Sequence, residues 1–185
     1  MTADLARKNE AKYDVELEQQ ATQWIQDVVG GDAAALQGVS GASAVHEVLK
    51  DGAILCKLIM AIDPSAKIKV NSSKMAFKQM ENIGQFLTAC ENYGLNKVDL
   101  FQTVDLYEAQ NMHMVILSIH ALGRKAQTKG YTGPTLGPRE SSANVREFSE
   151  EQLQAGKNVI GLQMGSNKGA SQAGQSFGKT RHIVD

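Results

Sequence analysis

The stretch from Val45 to Ile62, V-H-E-V-L-K-D-G-A-I-L-C-K-L-I-M-A-I, constrains the fold more than any other. Val45, Val48, Leu49, Gly52, Leu55, Cys56, Ile59 and Ile62 recur at steps of three and four, the period of one helix face. Ala53 and Leu58 widen that face and leave Glu47, Lys50, Asp51 and Lys57 on a narrow polar strip. A helix apolar over most of its circumference must be wrapped by other helices, so the spacing predicts one central core helix. Gly52 in its middle costs about 0.5–1 kcal/mol relative to alanine and is read as the place where a neighbouring helix comes close. Asp63-Pro64 ends the element, because proline restricts the residue before it and cannot continue a helix. These residues read as core alone, and function is sought elsewhere.

Three further helices follow from the same period. Asp14 is placed to cap a helix through Val29, with Leu17, Ala21, Trp24, Ile25 and Val28 on one face and Gly30-Gly31 as its stop. Trp24, the single tryptophan, reads as a core anchor rather than a ligand-stacking residue. Residues 32–42 read as a loop, with Ser43 placed to cap the central helix. A third helix is expected over Ala76 to Tyr93, with Ala76, Met80, Ile83, Leu87 and Cys90 inward, Phe77 and Phe86 beside them, and Gly94 as a left-handed stop. After an irregular segment, a fourth helix is expected from about Asn111 to Lys125, turning Met112, Val115, Ile116, Ile119 and Leu122 inward. Gly130 to Pro138 reads as a linker by its glycines and prolines. Beyond it, Ser149 and Gln152 form a capping-box pattern, flanked by Phe148 and Leu153 as a hydrophobic staple. One short helix ending near Gly156 is therefore expected.

Charge is unevenly distributed. Residues 1–155 carry 15 Lys/Arg against 19 Asp/Glu, whereas residues 156–185 carry Lys157, Lys168, Lys179 and Arg181 against Asp185. A tail of net +3 on a body of net −4 points to an acidic partner for the tail. The first residues are charged where a signal peptide needs an apolar run, and no stretch approaches the roughly 18 apolar residues of a membrane span. Cys56 and Cys90 fall on apolar faces and make no disulfide framework, so a reduced cytoplasmic protein is expected. In the tail, Gly161, Gly165, Gly169, Gly174 and Gly178 break helix and strand alike, and its few apolar residues cannot form a core. The tail reads as extended, ordering when it binds.

No catalytic constellation emerges. A-G-Q-S-F-G-K-T at 173–180 has the outline of a phosphate-binding loop, but only Arg181 to Asp185 remain to form the helix such a loop requires. His113 and His120 share a helix face without a third metal ligand, and read as half-buried residues at the helix margin. With Lys57 on the polar strip, neither cysteine shares its helix face with a basic group that would lower its pKa.

D-G-A-I-L-C-K-L-I (51–59), M-E-N-I-G-Q-F-L-T-A-C-E-N-Y-G (80–94) and F-Q-T-V-D-L-Y-E (101–108) together resemble the calponin-homology domain. I-G-L-Q-M-G-S-N-K-G-A-S-Q-A-G (160–174) resembles the calponin-like repeat. One such domain and one repeat are the layout of the transgelin branch of the calponin family, which includes invertebrate muscle proteins. The resemblance implies an all-α fold: a calponin-homology-type bundle of four main helices plus short helices, followed by a flexible Gly-rich C-terminal repeat. The expected divisions are a lead-in over 1–13, the helical domain over 14–129, a linker over 130–148, a short helix over 149–156 and the repeat tail over 157–185.

The resemblance also implies a cytoplasmic, cytoskeleton-associated protein without enzyme activity that binds and organises actin filaments, mainly through the repeat. The positions it assigns to that contact are Ile160, Gly161, Leu162, Gln163, Met164, Gly165, Ser166, Asn167, Lys168, Gly169, Ala170, Ser171, Gln172, Gly174, Lys179 and Arg181. It points to Ser171 and Ser176 as phosphorylation positions. The implied partners are filamentous actin and, secondarily, other cytoskeletal or signalling proteins. No nucleic acid, membrane, metal or cofactor is expected, and the chain is expected to act as a monomer. The chain departs from vertebrate transgelins ahead of F-S-E-E-Q-L, where R-E-S-S-A-N-V-R keeps only Arg139 and Arg146 of a basic cluster. The alternative is a signalling adaptor whose helical domain holds a non-actin protein.

Overall fold

The computed structural model of the chain describes residues 9, 11–141 and 144–158. The chain divides into two units, Met1–Ser141 and Ser142–Asp185. All regular structure among the described residues is helical. Helix α1 (Val15–Val29) begins where the Asp14 carboxylate accepts the backbone N–H groups of Glu16 and Leu17, at 2.8 and 3.3 Å. It leads into a 3₁₀ segment, Gly30–Leu36, that buries Ala33 and Leu36. Part of the expected loop is therefore ordered helical turn, fastened outside by Lys57 to Asp32 at 3.0 Å.

The expected central helix is two helices, α2 (Ala42–Leu49) and α3 (Ala53–Ile62). Local turn chemistry breaks it. The Asp51 carboxylate accepts the Ala53 N–H at 2.9 Å, and Gly52 adopts the left-handed φ of +69°. The close approach expected at Gly52 is nevertheless present, since a Cβ there would lie 2.9 Å from the Ile83 nitrogen. Helix α3 lies against α1, α2 and α4, and buries Ile54, Leu55, Cys56, Leu58, Ile59 and Ile62. Each such leucine or isoleucine side chain contributes roughly 1.5–3 kcal/mol of burial. Ser43 does not cap α2, which starts after Gly41 without a side-chain cap.

Helix α4 (Ala76–Asn92) turns Ile83, Phe86 and Cys90 inward as expected, and Phe86 stacks on Phe101 at 6.1 Å. Its first turns depart from the expected stripe: Ala76, Phe77 and Met80 are exposed, at the end where the preceding residues Ser72 to Met75 are exposed as well. The stop after Tyr93 matches, with Gly94 at φ +98°. The segment read as irregular contains a 3₁₀ turn, Lys97–Asp99, and a short helix α5 (Thr103–Tyr107) whose start is closed by Gln102 and Asp105. Helix α6 (Met112–Thr128) is capped by Asn111 and buries Val115, Ile116, Ile119 and Leu122. His120 is buried rather than marginal, its Nε2 donating to the Leu17 carbonyl at 2.9 Å.

The glycine- and proline-rich stretch after α6 is packed down. The Trp24 indole N–H donates to the Pro134 carbonyl at 2.8 Å. Leu136 is 3% exposed and sits over Gly123, where a Cβ would lie 2.6 Å from that of Leu136. The Gln127 amide donates to the Leu136 and Gly137 carbonyls at 3.0 and 2.8 Å. In the second unit, α7 (Glu150–Asn158) begins with the expected reciprocal pair. Ser149 N–H donates to Gln152 Oε1 at 3.1 Å, and Gln152 N–H to Ser149 Oγ at 3.3 Å.

Both cysteines are buried. Burial, with the Asp51 charge adding to it, pushes the Cys56 thiol from 9.0 up to about 12. Burial, and then Cys56, pushes Cys90 upward as well. Burial and the hydrogen bond to Glu18 raise Tyr13 likewise.

Four outcomes are expected. Gly52→Ala should lose roughly 2–4 kcal/mol in urea unfolding, from left-handed strain and overpacking. Gly84→Ala, in α4 with nothing within 4 Å of an added Cβ, should gain about 0.5–1 kcal/mol. A fragment ending at residue 130 should be less stable in urea unfolding than one ending at 141, by about 3–5 kcal/mol, since it strips the cover from Leu136's site and orphans the Trp24 N–H. The raised thiols favour the protonated form in the folded state. Their stabilisation is whole below pH about 8.5, and should fall as pH climbs from there towards 12, which denaturant midpoints across that range would record.

Candidate functional site

The positions assigned to filament contact, Ile160 to Gly174 with Lys179 and Arg181, lie outside the described residues, as do Ser171, Ser176 and the 173–180 loop motif. What the structure supplies on the approach to them is residues 144–158. Every residue from Asn144 to Glu150 is exposed, Val145 at 79% and Phe148 at 58%. Leu153 on α7 is 51% exposed. The α7 first turn carries Glu150 and Glu151, which suit the positive end of the helix dipole. The two residues named as a staple are thus both solvent-facing, and α7 is held at its start by the Ser149–Gln152 exchange.

The helical unit presents a face that periodicity alone did not reveal. Met75 and Phe77 are each 67% exposed, and Met80 37%, at the start of α4. The same stretch of sequence carries Lys67, Lys69, Lys74 and Lys78. Lys78 lies over the Phe77 ring, 5.5 Å from its centroid, and pairs with Glu81 at 2.8 Å. Exposed apolar side chains grouped on one turn mark an interaction surface more often than scattered ones do. The signal that could have found this face is the run of lysines without an intervening acid. Beside it a trough of about 820 Å³ runs between α4 and the turn after α3, lined by Asp63, Lys67, Ile68, Glu81, Gly84 and Thr88.

Neither region assembles a catalytic group. The buried thiols are held protonated, the opposite of what a nucleophile needs. Among the described residues no three His, Cys, Asp or Glu side chains gather as metal ligands. His113 is half-buried and His120 is spent on the Leu17 carbonyl. Glu18, a buried carboxylate, is satisfied within the chain by the Tyr13 hydroxyl and the Gly41 N–H. No helix among the described residues is long and apolar enough to cross a membrane. The chemistry on offer is that of contact: apolar side chains ringed by charge.

Comparison with known proteins agrees with this division. The calponin homology (CH) domain profile matches residues 15–128, and the calponin family repeat profile matches residues 160–183. The chain is 44% identical to myophilin of Echinococcus granulosus over 187 aligned positions, covering 100% of this chain and 95% of the relative. Among solved structures, the calponin-homology domain of Rng2 from Schizosaccharomyces pombe superposes with a TM-score of 0.56 at 24% identity, over 84% of this chain and 95% of that one. The calponin-homology domain of an IQGAP protein from Schizosaccharomyces pombe superposes with a TM-score of 0.55, at the same identity and coverage. The structural likenesses bear on fold and the sequence matches on descent: the chain belongs to the calponin family, with a calponin-homology domain followed by a calponin family repeat.

Proposed function

We propose that the chain binds actin filaments and organises or stabilises them, with residues 160–181 as the main contact and the cytoplasmic cytoskeleton as its place of action. The observation that carries this reading is the repeat matched over residues 160–183, in a tail whose net charge of +3 contrasts with the acidic body. Glycines at 161, 165, 169 and 174 let the backbone lie against another surface. Ile160, Leu162 and Met164 supply apolar anchors, and Lys168, Lys179 and Arg181 meet acidic side chains. Exposed ion pairs contribute only about 0.2–1 kcal/mol each, so the contact is modest and weakens as salt screens it. No catalytic role is proposed.

A second reading, an adaptor whose helical domain holds a non-actin protein, is favoured by the exposed Met75, Phe77 and Met80 among lysines.

Co-sedimentation with actin filaments separates the two. The intact chain should pellet, and the 1–155 truncation should stay largely in the supernatant. Lys168→Glu should weaken binding roughly two- to fivefold. Ser171→Asp should act in the same direction, as should raised salt. Equal pelleting of the truncation and the intact chain would make the helical domain the binder and overturn the assignment to the tail.

A further inference from the structure

We propose that Ser72 is a phosphorylation site, receiving its phosphoryl group from ATP through a protein kinase with an acidic substrate cleft. Residues 64–80, P-S-A-K-I-K-V-N-S-S-K-M-A-F-K-Q-M, contain Lys67, Lys69, Lys74 and Lys78 and no Asp or Glu. This is a local charge of +4 within a body whose acids outnumber its bases. An acidic cleft recognises such a segment by charge complementarity and disfavours a serine such as Ser149, which is flanked by Glu147, Glu150 and Glu151.

The geometry suits an extended substrate. After the turn at Pro64-Ser65, residues 66–75 form neither helix nor strand. Exposed Lys67 and Lys69 alternate with Ile68 and Val70, which are half-buried against the core, so side chains already point to alternate sides as in an extended peptide. Lys69 stands three residues before Ser72, Lys67 five before and Lys74 two after. Among the described residues these three lysines make no ion pair, whereas Lys78 is taken by Glu81. Asn71 is fixed by its bonds to Asn82 and Glu81, and from Ser72 to Phe77 every residue is exposed. The two adjacent serines differ. The Ser73 Oγ accepts the Met75 N–H at 3.3 Å and steadies the entry to α4, while the Ser72 hydroxyl has no hydrogen bond among the described residues.

In the transfer, Ser72 Oγ attacks the γ-phosphorus of ATP. The new O–P bond forms as the bond to the β,γ-bridging oxygen breaks, ADP leaves, and the hydroxyl proton passes to the kinase's base. The product adds about −1.5 to −2 charges at pH 7. That cancels close to half of the local +4, beside exposed Met75 and Phe77. The modification is therefore a charge switch on the lysine-rich stretch that leads into α4.

The test incubates the full folded chain with magnesium, ATP and the catalytic domain of a kinase that selects basic substrates. Fragmentation mass spectrometry then locates the phosphate. Ser72 should be modified in the native protein, and Ser72→Ala should abolish that signal while leaving Ser73 unlabelled. Lys69→Glu should lower the initial rate at Ser72 roughly tenfold or more, with an unchanged thermal melt showing that the fold is intact. Phosphate on Ser73 or only on serines beyond residue 141 would overturn the proposal. So would Ser72 labelling that requires prior denaturation, or a rate that Lys69→Glu leaves unchanged.

Discussion

Asn82 is the point at which three separate parts of the helical unit are tied together. Its side chain is fully buried on α4, and its amide donates to the Asp51 and Asn71 carbonyls, each at 2.9 Å. Its side-chain oxygen accepts the Asn71 N–H at 2.9 Å, and its backbone carbonyl lies 3.2 Å from the Cys56 sulfur. One residue thus holds the break between α2 and α3, the extended segment before α4, and α4 itself. A buried polar group is costly unless satisfied, and each partner left orphaned would cost about 1–3 kcal/mol, so the network admits one arrangement. That arrangement requires backbone to pass within 3 Å of where a side chain would begin at Gly52, which explains the glycine and its left-handed φ together.

The face at the start of α4 depends on the same anchor. Because Asn71 is fixed and α4 begins only at Ala76, the residues between must stand away from the core. Lys74, Met75 and Phe77 then project from a short, pinned span rather than from a free loop. The molecule in this way concentrates basic charge in the 64–80 span and in the residues after 156, while the remaining residues together carry a net negative charge.

Much of this was legible in the residues. Asp14, Gly30, Gly94, Asn111 and the Ser149–Gln152 pair mark helix ends through local hydrogen bonding, which depends on near neighbours and so survives folding unchanged. The break at Asp51-Gly52 was hidden because an uninterrupted three-and-four spacing is indifferent to a tight turn that keeps the apolar face in register. Phe77 and Met80 misled for a related reason: periodicity says which side of a helix is apolar, not whether anything covers it. The docking of Pro134 and Leu136 could not be read from glycine and proline content, since it is set by a tryptophan 110 residues earlier and by the bare surface at Gly123. For the tail, the motif over 160–174 was legible as a family signature, and its positions fall within the matched repeat.

The Trp24–Pro134 hydrogen bond has a consequence for how the protein is made. Trp24 leaves the ribosome early, yet its indole partner and the Leu136 side chain that completes the core arrive more than a hundred residues later. Chains are built from the N-terminus at about 5–20 residues per second, so the nascent helices wait many seconds for the piece that closes them. When that piece emerges, most of the repeat is still being polymerised or lies within the exit tunnel. The helical unit therefore closes as the glycine-rich segment is only beginning to leave the ribosome, and the order of synthesis separates the folding of the one from the release of the other.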